Sequence, residues 1–290
     1  MKRIAYIITS LILLVSLASC ATKIDLDEKT YEVDSTCENI IVEEAVMNVE
    51  IRKDSKVENI TITYYEKEEK YYLSNNYSNV TKTYKAQRVQ PNKKLDYSFS
   101  RDYKTLVLVP EDFGGTVNVR TGVGNINLSN FNSKDLTVTS SVGNINISNL
   151  SSDVVEIKNS TGNIIVEGLD ASTLQIKNST GNIKVNNVVV DGEIKLENSS
   201  GNIGGNNVKG LSVNAKNSLG NVSLLKLDVS SFVEVKNATG NVTLSVMGDK
   251  DLYTTTLSSG IGSTKGETTG GDIRINIETE VGDIKVSYNA

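Results

Sequence analysis

A short Gly-Asn motif recurs seven times at nearly constant intervals, and this repeat constrains the fold more than any other feature. The intervals between successive glycines are 19, 19, 19, 20, 19 and 20 residues, and a Gly-Asp pair follows at residue 282. A fixed period of about 20 residues is typical of repeat architectures in which each unit packs only against its neighbours. The seven pairs are Gly124-Asn125, Gly143-Asn144, Gly162-Asn163, Gly181-Asn182, Gly201-Asn202, Gly220-Asn221 and Gly240-Asn241.

Apolar residues flank each Gly in alternation with polar ones. With Gly as position zero, positions −7, −5, +2, +4 and +7 are apolar in nearly every unit, and Ser, Thr, Asn, Lys and Glu lie between them. This period of two predicts two half-buried strands per unit, with a tight corner at the Gly-Asn pair, where positive φ is easily adopted. Gly205 is the exception at position +4, and it predicts either a bulge or a small void.

One such unit cannot cover both sides of its apolar layer, so the units must stack. The sequence therefore predicts an all-β fold, a single-stranded β-solenoid (β-helix) with coils of about 19–20 residues that lie about 4.8 Å apart. Asn also recurs at position −3, and identical amides one coil apart can form hydrogen bonds along a stack. We interpret these amides as corner chemistry rather than as a polar binding stripe. They are Asn159, Asn178, Asn198, Asn217 and Asn237.

The first 19 residues resemble an export signal rather than a part of the fold. Two basic residues precede an apolar run of 14 residues, 4–17, which is shorter than the span of about 20 residues that a bilayer requires. The sequence Leu-Ala-Ser-Cys ending at Cys20 resembles the bacterial lipobox. That resemblance implies cleavage before Cys20, a diacylglyceryl group on its sulfur and an acyl group such as palmitate on its amino group. The protein would then lie on the exported side of the cell membrane or the outer membrane.

The composition excludes several classes of function. The chain contains no His, so a His-based catalytic triad and a His-ligated zinc site are impossible. If Cys20 carries the lipid, Cys37 stands alone, so a disulfide framework is excluded and Cys37 is interpreted as a bystander. The net charge of −5 gives no reason to expect nucleic acid as a partner. We expect no enzyme activity, no catalytic residues, no metal site and no cofactor.

The N-terminal part of the mature chain is less regular. We divide the chain into the signal peptide 1–19, a lipidated Cys and linker 20–38, irregular coils 39–110 and regular solenoid repeats 111–290. Residues 64–104 interrupt the irregular coils with eight of the twelve tyrosines and nine basic against five acidic residues. This insertion is interpreted as a hairpin or an extended excursion.

The tyrosines of the insertion have two interpretations. Exposed tyrosines on a rigid scaffold are good contact residues for a partner, whereas buried ones would cap the end of the stack. The candidate binding residues of this segment are Tyr64, Tyr65, Tyr71, Tyr72, Tyr77 and Tyr84.

A second set of candidate binding residues is a column of lysines. Lys158, Lys177, Lys216 and Lys236 share position −4, and Glu197 interrupts them. A spaced cationic column could bind an anionic surface glycan, and the alternative is an ordinary solvated face.

Several motifs together resemble a known bacterial family. They are the Asn-Ser-Thr-Gly-Asn-Ile-x-Val repeat, the Leu-Val-Leu-Val-Pro segment ending at Pro110 and the repeated Gly-Asn/Asp-Ile units, which together cover roughly residues 39–290. They are similar to the putative-adhesin β-strand-repeat family, a domain of unknown function. The resemblance implies a right-handed single-stranded β-helix in the cell envelope, and it supplies no catalytic residues.

Three functions are compatible with these features. The first is a lipid-anchored, non-enzymatic adhesion or scaffolding module that binds a surface glycan or an envelope protein. The second is a polysaccharide-binding or polysaccharide-degrading β-helix, which as an enzyme would need clustered carboxylates, often with calcium. The third is an envelope-stress or signalling accessory. Asp135, Asp153, Asp170 and Asp191 recur near the corner that joins coils, but their offsets drift, so we interpret them as turn residues.

Overall fold

The computed structural model describes residues 22–23, 26–67, 72–89, 97–98 and 103–289. The predicted signal peptide, Cys20 and Tyr71 lie outside these residues. Within them the chain forms strands, one short 3₁₀ helix at Lys250–Leu252 and no α-helix. The predicted all-β solenoid is confirmed.

The strands vary in length with their place in the stack. Those of the central coils contain 17 or 18 residues because each runs from one Gly-Asn corner to the next. In chain order the strands are β1 (Thr22–Lys23), β2 (Asp27–Val33), β3 (Asn39–Glu44), β4 (Asn48–Lys53), β5 (Ile60–Glu66), β6 (Tyr72–Ser78), β7 (Thr83–Val89), β8 (Tyr97–Ser98), β9 (Lys104–Val109), β10 (Thr116–Val123), β11 (Ile126–Ser129), β12 (Asn132–Val142), β13 (Ile145–Thr161), β14 (Ile164–Thr180), β15 (Ile183–Ser200), β16 (Ile203–Leu219), β17 (Val222–Thr239), β18 (Val242–Met247), β19 (Tyr253–Ile261), β20 (Thr264–Lys265), β21 (Ile273–Val281) and β22 (Ile284–Asn289).

Successive coils stack in parallel and in register, so equivalent residues of neighbouring units lie side by side. Ile145 pairs with Ile164, for example, and Ile157 pairs with Ile176. The side chains at positions −7, −5, +2, +4 and +7 of the central coils face the interior, as the sequence pattern predicts. In the last Gly-Asn unit the prediction for +7 is wrong, because a register shift buries Val246 and leaves Met247 exposed. Two further positions, +9 and −3, are also buried, here by Ala171 and by Asn178. Each coil therefore has seven inward positions rather than five.

The bends of each coil have distinct local causes. The corner Gly has positive φ, and so does the residue at +6, which is Asn149, Gly168 or Asn187 in three successive coils. Asn and Gly tolerate this left-handed conformation best. The third bend lies between position +9 of one unit and position −7 of the next. The extra residue of a 20-residue unit lies at this bend and produces a register shift, as between Ala171 and Leu174.

Two columns of asparagine complete the hydrogen bonding at the Gly-Asn corner. At +1, the backbone N–H of each Asn donates to the side-chain oxygen of the Asn one coil below, as from Asn163 to Asn144 (2.8 Å) and from Asn182 to Asn163 (2.9 Å). At −3, the amide Nδ2 donates to a corner carbonyl, as from Asn178 to the oxygen of Gly162 (3.0 Å). The interpretation as corner chemistry is confirmed, but the predicted amide-to-amide ladder at −3 is wrong, because the glycine carbonyls take these donors.

The coils at the two ends of the stack do not follow chain order. At the C-terminal end, β21 lies between β17 and β19, and β22 lies between β18 and β20, so the last segment of the chain is inserted into the stack. At the N-terminal end, β7 and β9 form a coil outside β3 and β4. Strand β6 pairs with β7 in antiparallel orientation. Strand β5 pairs with β9 in the same way, and β2 in turn pairs with β5.

The exceptional glycine of the pattern leaves no void. Gly205 pairs between Val185 and Leu224, and a Cβ added to it would come within 2.9 Å of Leu224 Cδ2 and 3.2 Å of Val185 Cγ2. Side chains from both neighbouring coils therefore already fill the inward position.

The corner glycines should not tolerate any side chain. Gly181 has φ of +122°, and a Cβ there would lie 2.1 Å from the oxygen of Gly162. We expect Gly181→Ala to lower the free energy of unfolding by about 3 kcal/mol or more, measured by urea denaturation. Gly204→Ala is the matched control, since its Cβ would meet nothing closer than 4.0 Å. Equal stability of the two variants would contradict this account of the corner.

The amides at −3 should contribute to stability through the carbonyls that they satisfy. Asn178→Ala removes the donor to the partly buried carbonyl of Gly162, and we expect a loss of about 1–3 kcal/mol in the free energy of unfolding. Ser179→Ala changes the adjacent, exposed side chain and should cost less than about 0.5 kcal/mol. A loss no larger for Asn178→Ala than for this control would be inconsistent with the proposed hydrogen bond.

Candidate functional site

The four candidate lysines lie in one column on the outside of the stack. Lys158 pairs with Lys177, and Lys216 pairs with Lys236, with Glu197 in register between the two pairs. The parallel register brings together residues that are 19 or 20 positions apart in the chain. The sequence-predicted column is therefore present as a geometrical feature, and its binding role stays a prediction.

The column borders an open trough of about 1160 Å³ that runs along the Gly-Asn corner. Three rows of residues line it, one residue of each row per coil. Position −4 supplies the lysine row, position −3 supplies the buried asparagine row, and position −2 supplies a row of mostly serine hydroxyls. The serines are Ser141, Ser160, Ser179, Ser199 and Ser218.

Most lysines of the column have an acidic partner. Lys158 Nζ lies 2.5 Å from Glu156, Lys177 Nζ lies 3.1 Å from Glu197, and Lys236 Nζ lies 2.8 Å from Glu234. Among the described residues, Lys216 has no carboxylate within ion-pair distance. The −4 row is therefore a mixed-charge surface and not the cationic column that the lysines alone suggest.

The ion pairs also shift the pKa values of their members. The hydrogen bond to Glu234 raises the pKa of Lys236 above its ordinary value. Partial burial tends to raise the pKa of Glu197, but hydrogen bonds from Lys195 and Lys177 outweigh it, so the pKa of this carboxyl is lowered. Both groups therefore stay charged near neutral pH, and the row offers donors and acceptors together.

The asparagines at −3 form the floor of the trough, and each has one unused atom. Their Nδ2 atoms donate to the corner carbonyls, whereas the Oδ1 atoms are buried and have no hydrogen-bond partner in the described part of the chain. Buried acceptors of this kind normally have a partner, so a row of five without one is unusual. The five residues are Asn159, Asn178, Asn198, Asn217 and Asn237.

The candidate tyrosines lie in the N-terminal cap of the stack. Tyr84 is fully buried and its hydroxyl donates to Asn75 Oδ1 (2.5 Å), while Tyr64 is only 8% exposed. The expectation that these two are surface contact residues is wrong, because they fill the end of the core. Burial raises the pKa of both phenols. The structure thus agrees with the capping interpretation for these two positions.

The remaining candidate tyrosines, Tyr65, Tyr72 and Tyr77, are half-buried, and two of them form contacts that hold the cap together. The hydroxyl of Tyr65 donates to Glu28 (2.6 Å), and its ring stacks on Tyr103 with centroids 4.8 Å apart. Tyr77 shares a hydrogen bond of 3.2 Å with Thr36, and Tyr72 begins strand β6. Strands β6 and β7 form an antiparallel hairpin, as one of the two interpretations of residues 64–104 predicts, and β7 adds to the end of the stack.

A buried ion pair at the N-terminal end escaped sequence reasoning. Arg88 donates through Nε to Glu44 Oε2 (3.0 Å) and through Nη2 to Glu44 Oε1 (2.8 Å), and both side chains are fully buried. Thr105 also donates to Glu44, and Arg88 Nη1 donates to the carbonyl of Tyr65. Both charged residues occupy position −3 of their coils. Alignment of the irregular coils to the Asn column would have revealed them.

The remaining candidate groups do not come together. Cys37 is buried, its thiol donates to the carbonyl of Asn39 (3.3 Å), and burial raises its pKa. The aspartates near the coil-joining corner do not stack on one another, since Asp135 pairs with Val154 and Asp170 with Ser151. In the part of the chain that the structure describes, no three His, Cys, Asp or Glu side chains are grouped to hold a metal ion. No helix there is both long and apolar enough to cross a bilayer.

The chain belongs to a family of β-solenoid domains. The family model described as Toastrack DUF4097 matches residues 37–287, which is nearly the whole region of the repeats. This is a domain of unknown function, so membership defines the class of protein without naming an activity. No curated protein is significantly similar to the chain.

Several solved structures are similar to the chain at low sequence identity. A putative adhesin from Bacteroides fragilis is 13% identical with a TM-score of 0.45, over 90% of this chain and 97% of the other. A putative lipid binding protein from Parabacteroides distasonis is 13% identical with a TM-score of 0.44, over 91% and 100%. A putative cell adhesion protein from Clostridium sporogenes is 15% identical with a TM-score of 0.30, over 91% and 100%. Similarity at this level supports no argument about function.

The buried ion pair should be sensitive to the loss of one partner. We expect Glu44→Gln to lower the free energy of unfolding by about 3–5 kcal/mol, because it leaves the Arg88 charge buried without its counter-ion. Glu43→Gln is the control, since Glu43 pairs with Lys85 at the surface and should cost at most about 1 kcal/mol. The double variant Glu44→Leu/Arg88→Met should recover most of the loss. A double variant as unstable as Glu44→Gln would contradict the role of the pair.

Proposed function

We propose that this protein is a lipid-anchored, non-enzymatic adhesion or scaffolding module on the exported side of the cell membrane or the outer membrane. The observation that carries the proposal is the parallel register of the coils on both sides of the Gly-Asn corner, which holds polar surface columns at fixed spacing. A rod of this kind presents a repeated surface and needs no catalytic group.

The attachment of the N-terminal segment supports the tether. The backbone N–H of Leu26 donates to the hydroxyl of Tyr103 (3.2 Å), and Leu26 packs in a small cluster with Met47, Tyr65 and Tyr103. Strand β2 then pairs along β5 of the cap. Leu26 lies six positions after Cys20, so a lipid on Cys20 would hold the cap within about 20 Å of the membrane. The trough would lie further along the rod, away from the lipid.

A polysaccharide-binding role is the second candidate, and the trough favours it. A polysaccharide-degrading role has less support, because the aspartates are not in register on neighbouring coils. The third alternative, an envelope-stress or signalling accessory, would use the same rod as a contact surface for another membrane protein.

The tether can be tested directly in cells. We expect Cys20→Ala to move nearly all of the protein from the membrane pellet to the soluble exported fraction, because the thioether-linked lipid is lost. The measurement is ultracentrifugation followed by mass spectrometry of the N-terminal peptide. Cys37→Ala is the control and should stay in the pellet with a lipidated N-terminus. A Cys20→Ala protein that remains in the pellet would refute anchoring through this residue.

A further inference from the structure

We propose that the trough beside the Gly-Asn corner is a binding track for a linear β-1,4-linked glycan, whose chain lies along the solenoid axis. The proposal deepens the proposed function and rests on it in one respect, because export would bring the trough into contact with envelope glycans. Two properties of the trough favour this ligand, namely its dimensions and the chemistry of its walls.

The dimensions suit an extended polymer. The −4 row runs without a gap from Thr139 through the lysine column to Glu278 and Ser258, so the trough crosses eight coils. Seven intervals of about 4.8 Å give a straight track of about 34 Å. The coil spacing is close to the rise per sugar of an extended β-1,4-linked chain. Adjacent sugars of such a chain face opposite ways, so every second sugar could meet equivalent positions that lie two coils apart.

The walls offer the mixture of donors and acceptors that sugar hydroxyls require. One wall is the −4 row, which contains four lysines and two glutamates, with Lys177 Nζ 3.1 Å from Glu197. The other wall is the −2 row, where a serine hydroxyl on most coils can donate and accept. A hydroxyl-rich neutral polymer matches both walls, because the two rows together present donors and acceptors on most coils.

The charges of the trough argue against a polyanion as the ligand. Three of the four lysines already contact a carboxylate, and Glu278 and Glu280 line the C-terminal end of the trough. A chain of carboxylates or phosphates would have to displace these partners and would meet the two glutamates. A neutral glycan can instead accept from the ammonium groups and donate to the carboxylates without breaking the pairs.

The floor of the trough belongs to the stack itself. Its five asparagine side chains, from Asn159 to Asn237, are each only 4–5% exposed, and their Oδ1 atoms are buried. A bound glycan would therefore lie on this floor and form its hydrogen bonds with the two walls.

The test is a binding measurement with three soluble hexasaccharides on residues 21–290. We expect cellohexaose and chitohexaose, which are neutral and β-1,4-linked, to bind with similar affinity at 50 and 500 mM salt by isothermal titration calorimetry. Oligogalacturonate of the same length, which is anionic and α-1,4-linked, should bind at least tenfold more weakly.

Two variants localise the site, and a third is their matched control. Ser179→Trp and Ser199→Trp place a large ring in the −2 row of the central coils, and each should weaken binding at least tenfold. Lys184→Trp places the same ring at an exposed position of the same coils, but on a different face of the stack. It should leave binding unchanged. Matched unfolding curves for the three variants ensure that they are compared as folded proteins.

Three results would overturn the proposal. They are binding of neither neutral hexamer at millimolar concentration, equal binding by the Ser179→Trp and Lys184→Trp variants, and a preference for the anionic hexamer that disappears at high salt. The last result would indicate the lysines as a simple cationic patch. None of these outcomes affects the location of the Cys20→Ala protein, so failure of the glycan track and failure of the tether can be distinguished.

Discussion

The hydrogen bonds at the Gly-Asn corner are the constraint on which the rest of the structure depends. A coil must turn there without losing its contacts to the coils on either side, and the corner Gly has a backbone conformation that interrupts the ordinary ladder. The Asn at +1 supplies a side-chain acceptor to the next coil, and the Asn at −3 supplies a donor to the glycine carbonyl. Because both hydrogen bonds recur on successive coils, the apolar positions remain in register and share one core.

The same inward position changes its chemistry along the stack. The −3 column contains Asn in the central coils, Ser140 and Thr121 towards the N-terminal end, and then the pair of Glu44 and Arg88. Thr121 donates to the carbonyl of Met47, which occupies the place of the corner Gly. A polar column thus runs through an otherwise apolar core. Its charged members, Glu44 and Arg88, form an ion pair with each other, which offsets the cost of burying them.

The candidate site is a consequence of this corner rather than an addition to it. The asparagine that stabilises the bend also forms the floor of the trough, and its neighbours at −4 and −2 form the walls. Repetition gives each wall a constant spacing, which is a property suited to a repetitive ligand. The tyrosines, by contrast, are used to close the end of the stack, where an open edge would invite association with other chains.

The sequence by itself determined the coil length, the register, five of the seven inward positions and the column of lysines, because each is a periodic feature that repetition makes visible. Only the tertiary structure decided the order of the end coils, the burial of Tyr84 and the pairing of Glu44 with Arg88. These depend on contacts between segments 44 or more residues apart, as with the Glu44–Arg88 pair, or on the insertion of β21 between β17 and β19. Local periodicity carries no information about which unit lies beside which once the repeat becomes irregular. The ion pairs of the lysine column, by contrast, follow the periodic pattern, because Glu156 and Glu234 each stand two residues before a lysine on the same strand face.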